Sequence, residues 1–309
     1  MSEKSSLAVV MLTHNEEMHL PRALRCIRHV AQEIFVVDSY STDATVELAR
    51  AGGATVLQHP FQNYARQYAW AMENAPITAE WVMRLDADEI VEEDLAEEIR
   101  VKLPALPPDV TGVVLNRKTV FQGRVIRHGG RLPLMLLRIW RRGKARIEDR
   151  WMDEHMYLTE GRPVTFKGGF ADHSLRDLTF FTSKHNHYAS REALEVLNQR
   201  MHLFASDFSL REKPGTPQAK SKRLIKDAIY NRIPYEISAL LYFLYRYVLQ
   251  LGFLDGREGL VYHVLQGFWY RFLVGAKLRE LQRAVGNVSG REEVVRELER
   301  LTRQEIELK

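Results

Sequence analysis

A single cysteine, Cys26, in 309 residues leaves no partner for an internal disulfide. That excludes the disulfide-stapled folds of small secreted domains and fits a reducing compartment, with Cys26 read as a core residue. No G-x-G-x-x-G follows the first apolar run, and no G-x-x-x-x-G-K-S/T occurs. The usual glycine cradles for dinucleotides and for P-loop phosphates are therefore excluded. The first residues, MSEKSS, lack the apolar centre of a secretory leader, so a cytoplasmic location is expected. A strong excess of one charge is missing too: 44 Lys and Arg against 40 Asp and Glu leave only +4. Such a mild balance suits an anionic partner or a cytoplasmic membrane leaflet; no nucleic-acid partner is expected. There is no internal repeat and no low-complexity segment.

What is present is an alternation. Apolar runs LAVVML, EIFVVDS, ATVLQ and AEWVMRL are separated by helical stretches, the first with Leu20, Ala23, Leu24 and Ile27 on one face. Apolar strands without polar alternation, spaced by helices, predict a mostly parallel α/β sheet covered on both faces. Ligands of such sheets bind at the carboxyl ends of the strands. There the sequence places Thr13, Asn15 and Glu16, then Asp38 and Ser39, then Asp86 and Asp88. From about Val110 the alternation stops; GVVLNRKTVF and LMLLRIW predict strands without intervening helices, so the sheet should end in mixed fashion. A helix is expected from about Leu178. REKPGTPQAKSKR reads as a linker.

The stretch WVMRLDADE ends an apolar strand in two aspartates one residue apart. Hard carboxylate oxygens so placed suit Mg²⁺ or Mn²⁺, ions that keep waters and take further ligands from phosphates. Glu89 and the acids after it read as the first turn of a helix, where they favour the dipole.

VVMLTHNEE, VVDSYSTDAT and WVMRLDADE, in this order and spacing, resemble the nucleotide-sugar-binding half of family 2 glycosyltransferases of the GT-A fold, over roughly the first 200 residues. DHSLRDLTFFTSKHNHYASREA and LGFLDGREGLVY are similar to distal segments of bacterial members that build lipopolysaccharide cores and related glycans. The resemblance implies a GT-A (Rossmann-like) mostly parallel sheet over residues 1–210 and a helical, aromatic-rich extension over 211–309. It implies that Thr13, Asn15, Glu16, Asp38 and Ser39 line the nucleoside pocket, with Asn63, Arg66 and Gln67 flanking it. Asp86 would contact ribose or metal, Asp88 would hold the Mn²⁺ or Mg²⁺, and His173 would be a third ligand or a diphosphate contact. In WMDEHM, Glu154, with Asp153 as the alternative, would be the general base, although this Asp-Glu stands where the subgroup has His-Glu.

The implied reaction is inverting transfer of a sugar from a UDP-sugar, UDP-glucose foremost, to a hydroxyl of a glycan or lipid-linked acceptor. Transfer to a polyprenyl phosphate, or a non-catalytic nucleotide-sugar-binding role, are the rivals. The run Ile237 to Leu254 is interrupted by Arg246. A central arginine costs about 2.5–3.5 kcal/mol on insertion, so this is a poor spanning helix. Apolar helices rich in Tyr, Trp and Phe suit a membrane interface instead, or a packed helical cap or oligomer contact that buries the same faces; a peripheral place on the cytoplasmic face of the inner membrane is expected.

Overall fold

The computed structural model describes residues 6–148, 155–201, 233–286, 288 and 290–303. Contacts divide the chain into two compact units, the first Met1–Glu148 with Glu154–Leu175 and the second containing Arg176–Lys309.

The first unit is built on one mixed sheet. β1 (Leu7–Thr13), β2 (Glu33–Asp38), β3 (Thr55–Gln58) and β4 (Trp81–Arg84) are the four apolar runs, and they pair in parallel in the order β3-β2-β1-β4. Residues on alternate sides of β1 feed two cores. Val9 and Met11 pack among Leu20, Ala23, Leu24 and Ile27 of α1 (Leu20–Ile27). Ala8 and Val10 pack with Tyr68 and Ala71 of α3 (Tyr64–Asn74). A strand buried on both faces has no room for polar alternation, hence its continuous apolar sequence. α2 (Thr45–Ala51) joins β2 to β3.

Beyond β4 the sheet continues through β8 (Met135–Arg141), β6 (Val110–Phe121), β11 (Arg162–His173) and β5 (Glu89–Val91). β8 runs antiparallel to both β4 and β6. The mixed end expected from the sequence is present. β7 (Arg124–Val125) turns back onto β6, and β9 (Ala145–Ile147) pairs with β10 (Met156–Leu158). One local expectation is corrected: Glu89 opens strand β5 and is 1% exposed, while the acidic helix α4 (Glu93–Lys102) begins four residues later. The apolar partners Ile90 and Val91 extend against β11, and that pairing overrides the helix-start reading.

In the second unit α5 (Leu178–Met201) starts where the sequence predicts. Its Ala193, Leu194 and Leu197 pack with Leu281 and Val285 of α8 (Tyr270–Val285) and Val294, Val295 and Leu298 of α9 (Arg291–Thr302). The Tyr270 hydroxyl donates to the buried Glu192 at 2.6 Å. The division by contacts falls after Leu175, ahead of α5. Between these helices lie α6 (Tyr235–Leu244), a π-helical turn Tyr245–Leu249, a 3₁₀ turn Gly252–Asp255, α7 (Gly256–Tyr262) and a second π-helical stretch His263–Trp269. No described helix is alone long and apolar enough to cross a membrane.

Candidate active site

The register pairs Thr13 with Asp38 at the carboxyl ends of β1 and β2. Thr13 Oγ1 donates to Asp38 Oδ1 at 3.1 Å, and Gln58 Nε2 and the Ser41 amide donate to Oδ2 at 3.2 and 2.9 Å. The Ser41 hydroxyl completes the set. Asp38 is fully buried, and a buried carboxylate persists only when so satisfied. It thereby orders the turn leading to α2. The Asn15 amide donates to Ser41 Oγ at 2.8 Å, and Asn15 Oδ1 accepts from the Thr42 amide at 2.8 Å. The Glu16 amide donates to Thr45 Oγ1 at 2.7 Å, and Glu16 Oε2 meets His19 Nδ1 at 2.6 Å. Asn15 and Tyr40 sit at φ 55 and 56, in the left-handed region. For a tyrosine that conformation is unfavourable, so the surrounding bonds impose the path of this turn. Gln67 Nε2 reaches Ser39 Oγ at 3.1 Å and the His59 carbonyl at 3.0 Å.

Thr13, Asn15, Glu16, Asp38, Ser39 and Gln67 are thus brought into one hydrogen-bonded rim. Asn63 and Arg66 are engaged differently. Asn63 caps α3 by accepting the Arg66 amide at 2.8 Å, and the Arg66 guanidinium reaches Gln62 at 3.3 Å.

The end of β4 lies beside β1, where the Leu85 amide donates to the Val10 carbonyl at 3.3 Å. Its acids have distinct surroundings. Asp86 accepts a hydrogen bond from the Tyr64 hydroxyl and lies 3.8 Å from Arg84 and 3.9 Å from Arg138. Arg84 stacks on the Tyr64 ring at 4.1 Å. Glu89 receives Arg138 at 2.7 Å and lies 3.9 Å from Arg117; its Oε2 accepts the Asp86 amide at 2.9 Å. These guanidinium groups make the two crowded carboxylates tolerable.

Burial opposes ionisation of Asp86, but Arg84, Arg138 and the Tyr64 hydroxyl outweigh it and hold the carboxyl below its usual range. For Glu89 burial dominates and pushes the carboxyl above its usual range despite Arg138. The signs are opposite. A group raised in the native state adds most stability below its unfolded value, ordinarily 4.5 for Glu89, and loses it as pH rises through the native value. Asp86 adds stability above 3.8 that disappears as pH falls through its depressed native value. Glu89→Gln should therefore flatten the decline of urea midpoint between about pH 5 and 9. A decline as steep as the wild type would remove Glu89 as its source.

Asp88 stands in the turn between β4 and β5. Its carbonyl accepts the His173 amide at 3.0 Å across the strand pair. Arg22, from α1, is 3.3 Å from His173 Nδ1 and also donates to the His173 carbonyl. Burial and the positive Arg22 keep the His173 imidazole below its ordinary pKa, hence neutral and fit to ligate. Burial lowers the Arg22 pKa while Asp88 raises it. Among the described residues no three His, Cys, Asp or Glu side chains converge on a common point. A hard carboxylate in the turn before β5 and a neutral imidazole at the end of β11 still fit a divalent ion whose shell is completed by substrate oxygens. Arg22 Nε and Arg138 Nη1 are buried donors without an acceptor among the described residues. Unsatisfied cationic donors at a strand-end site suit an anionic ligand.

Tyr64, Arg84, Arg117 and Arg22 were not singled out as site residues by the sequence, although Arg84 stands two positions before Asp86 and Tyr64 directly follows Asn63; Arg138 reads there as a basic surface residue or a phosphate contact, and the structure buries it against Glu89. Asp153 and Glu154 lie outside the described residues.

The sequence profile of Glycosyl transferase family 2 matches residues 8–196, a range that runs from the second residue of β1 past the end of β11. The chain belongs to this family. Its described residues form a mixed α/β sheet flanked by helices, followed along the chain by a helical C-terminal region. An uncharacterized glycosyltransferase of Rickettsia typhi is 34% identical over 93 residues, covering 30% of this chain and 31% of the relative. One from Rickettsia conorii is 35% identical over 93 residues, covering 30% and 32%. The match spans about a third of the length of these relatives. Among solved structures, glucosyl-3-phosphoglycerate synthase from Mycobacterium tuberculosis, in complex with Mn²⁺, uridine diphosphate and glucosyl-3-phosphoglycerate, is 21% identical with a TM-score of 0.29, covering 39% of this chain and 45% of that chain. Mannosyl-3-phosphoglycerate synthase from Rubrobacter xylanophilus is 19% identical with a TM-score of 0.31, covering 36% and 39%.

Proposed function

We propose that this family 2 glycosyltransferase moves a hexose, glucose foremost, from a UDP-sugar to a hydroxyl of a lipid-linked or lipopolysaccharide-type glycan, with inversion and with Mn²⁺ or Mg²⁺. One observation carries the reading: the rim built on Thr13 and Asp38 adjoins a strand end where Asp88, neutral His173 and the buried guanidinium donors of Arg22 and Arg138 suit a diphosphate. The rim offers side-chain and backbone polar groups to a nucleoside. Asp88 and His173 would hold the ion, which supplies Lewis-acid stabilisation of the departing diphosphate. Arg22 and Arg138 neutralise charge on the same side, fixed beforehand by their contacts to His173 and Glu89. Asp86, kept ionised, suits a ribose hydroxyl at the edge of the cage. Glu154, with Asp153 as the alternative, would take the acceptor proton. The exposed apolar helices of the second unit support a membrane-borne acceptor and a peripheral place on the cytoplasmic face of the inner membrane.

Donor class is tested by thermal shift with UDP-, GDP- and dTDP-sugars, with and without Mn²⁺. A ligand bound only by the native form at 100 times its Kd adds about 2.7 kcal/mol of apparent stability. A metal-dependent rise with UDP-sugars is expected. No rise with any nucleotide sugar would overturn the proposal.

A further inference from the structure

Between Ile237 and Val264 the polarity of the second unit is inverted. Leu240, Leu244, Val248, Leu249, Phe253 and Leu254 are exposed, Leu249 to 74%. Arg246, Asp255 and His263 are turned inward, 3%, 2% and 0% exposed. Arg246 lies 5.6 Å from the Tyr242 ring and 5.8 Å from the Tyr262 ring. The interior around them is tight: a Cβ on Gly252 would stand 2.7 Å from His263 Nε2, and one on Gly259 would stand 2.5 Å from Asp255 Cβ. A protein bathed in water buries leucine and exposes arginine. The reverse arrangement is stable where the surroundings are hydrocarbon, because polar groups must then be satisfied within the protein.

The segment is bent. The direction changes by 72° between Tyr235–Leu249 and Gly252–Val285, and together, though not singly, they have the length and hydropathy of a membrane segment. The first arm is about 22 Å long at a rise of roughly 1.5 Å per residue, short of the hydrocarbon core of about 30 Å. The bend holds Leu251 in the left-handed region at φ 59, followed by exposed Phe253 and Leu254. Just past it stands Arg257, the one exposed charged side chain between Ile237 and Val264, beside half-buried Glu258. An arginine so placed can keep its stem with the apolar surface and its guanidinium among lipid phosphates. A contact between copies of a soluble protein carries a polar rim and mixed composition. This face has almost none, which favours lipid over a second copy.

We infer that the bent hairpin Tyr235–Val264 is a monotopic anchor, its Leu249–Leu254 apex entering one leaflet and returning, with Arg257 at the phosphate level. The inference rests on the membrane association proposed above and adds its element, depth and orientation.

The test is flotation of the full chain with vesicles of phosphatidylethanolamine and phosphatidylglycerol, at low salt and in 0.5 M NaCl. The wild type should float in both, since apolar insertion persists when charge attraction is screened. The double variant Leu249→Asp/Leu254→Asp, altering exposed positions only, should lose about tenfold or more of its partitioning. Its melting curve and its UDP-sugar thermal shift should stay as in the wild type. Arg257→Gln should weaken binding at low salt and leave binding in 0.5 M NaCl unchanged. Failure of the wild type to float, loss of flotation in salt, or undiminished flotation of the double variant would each overturn the anchor. So would a wild-type dimer, seen by ultracentrifugation without vesicles, that the double variant dissolves. The nucleotide-sugar shift, measured without vesicles, fails or holds independently, so the donor reading and the anchor are separately decided.

Discussion

Asp88→Asn is expected to lower sugar transfer by about three orders of magnitude. Losing Lewis-acid stabilisation of a leaving diphosphate amounts to several kcal/mol, and each roughly 1.4 kcal/mol is a factor of ten. Asparagine keeps the size of the side chain and leaves the Asp88 carbonyl free to accept the His173 amide as before. The fold should therefore persist, with a loss of melting temperature limited to the attraction between Asp88 and Arg22 and well short of that of Arg138→Met. The metal-dependent part of the UDP-sugar shift should vanish while any metal-independent part remains. Asp86→Asn differs: it removes a charge that faces Arg84 and Arg138, so it should disturb stability as well. An Asp88→Asn enzyme that kept its turnover and its metal-dependent shift would remove the ion from this strand end.

Arg138→Met is expected to have the largest effect on stability. Arg138 is 4% exposed and donates to Glu89, itself 1% exposed, at 2.7 Å. Deleting one partner of a buried pair leaves the other charge uncompensated, at a cost of about 3–5 kcal/mol. For a protein of this size that corresponds to a fall of roughly 10 °C in melting temperature. Arg117, at 3.9 Å, remains to share the load. Proton uptake by Glu89, whose native pKa is already raised by burial, should shrink the loss in acid. The double variant Arg138→Met/Glu89→Gln should recover much of the loss, and the double-mutant cycle measures the coupling between the two. Additive effects would mean that the pair is not energetically joined.

The four parallel strands were legible because strands buried on both faces leave an unbroken apolar record, and Val9, Val10, Phe35, Val36 and Val82 supply it. The strand-end rim was legible for a related reason: Thr13, Asn15 and Asp38 are polar where an apolar run stops. What the sequence concealed depends on strand order. Arg138 follows Asp86 by more than fifty residues, on a strand that inserts between β4 and β6. Nothing local in LLRIW marks that arginine as interior rather than surface. Glu89 was misread because an acid before acidic residues looks like a helix start, whereas its partners on β11 lie about eighty positions on. Local patterns report local structure, and long-range pairing of a short strand leaves almost no local trace.

The late arrival of β8 also bears on how the molecule is made. As the chain leaves the ribosome, β1 to β4 are complete before residue 85, while the outer edge of β4 waits for residues 139–141. An uncovered edge invites pairing with a neighbouring nascent chain. Here only four residues are bare, and they end in the charged Arg84. When β8 finally docks, it seals that edge and delivers Arg138 to the waiting acids in the same movement. Closure of the sheet and neutralisation of its reactive end are one event.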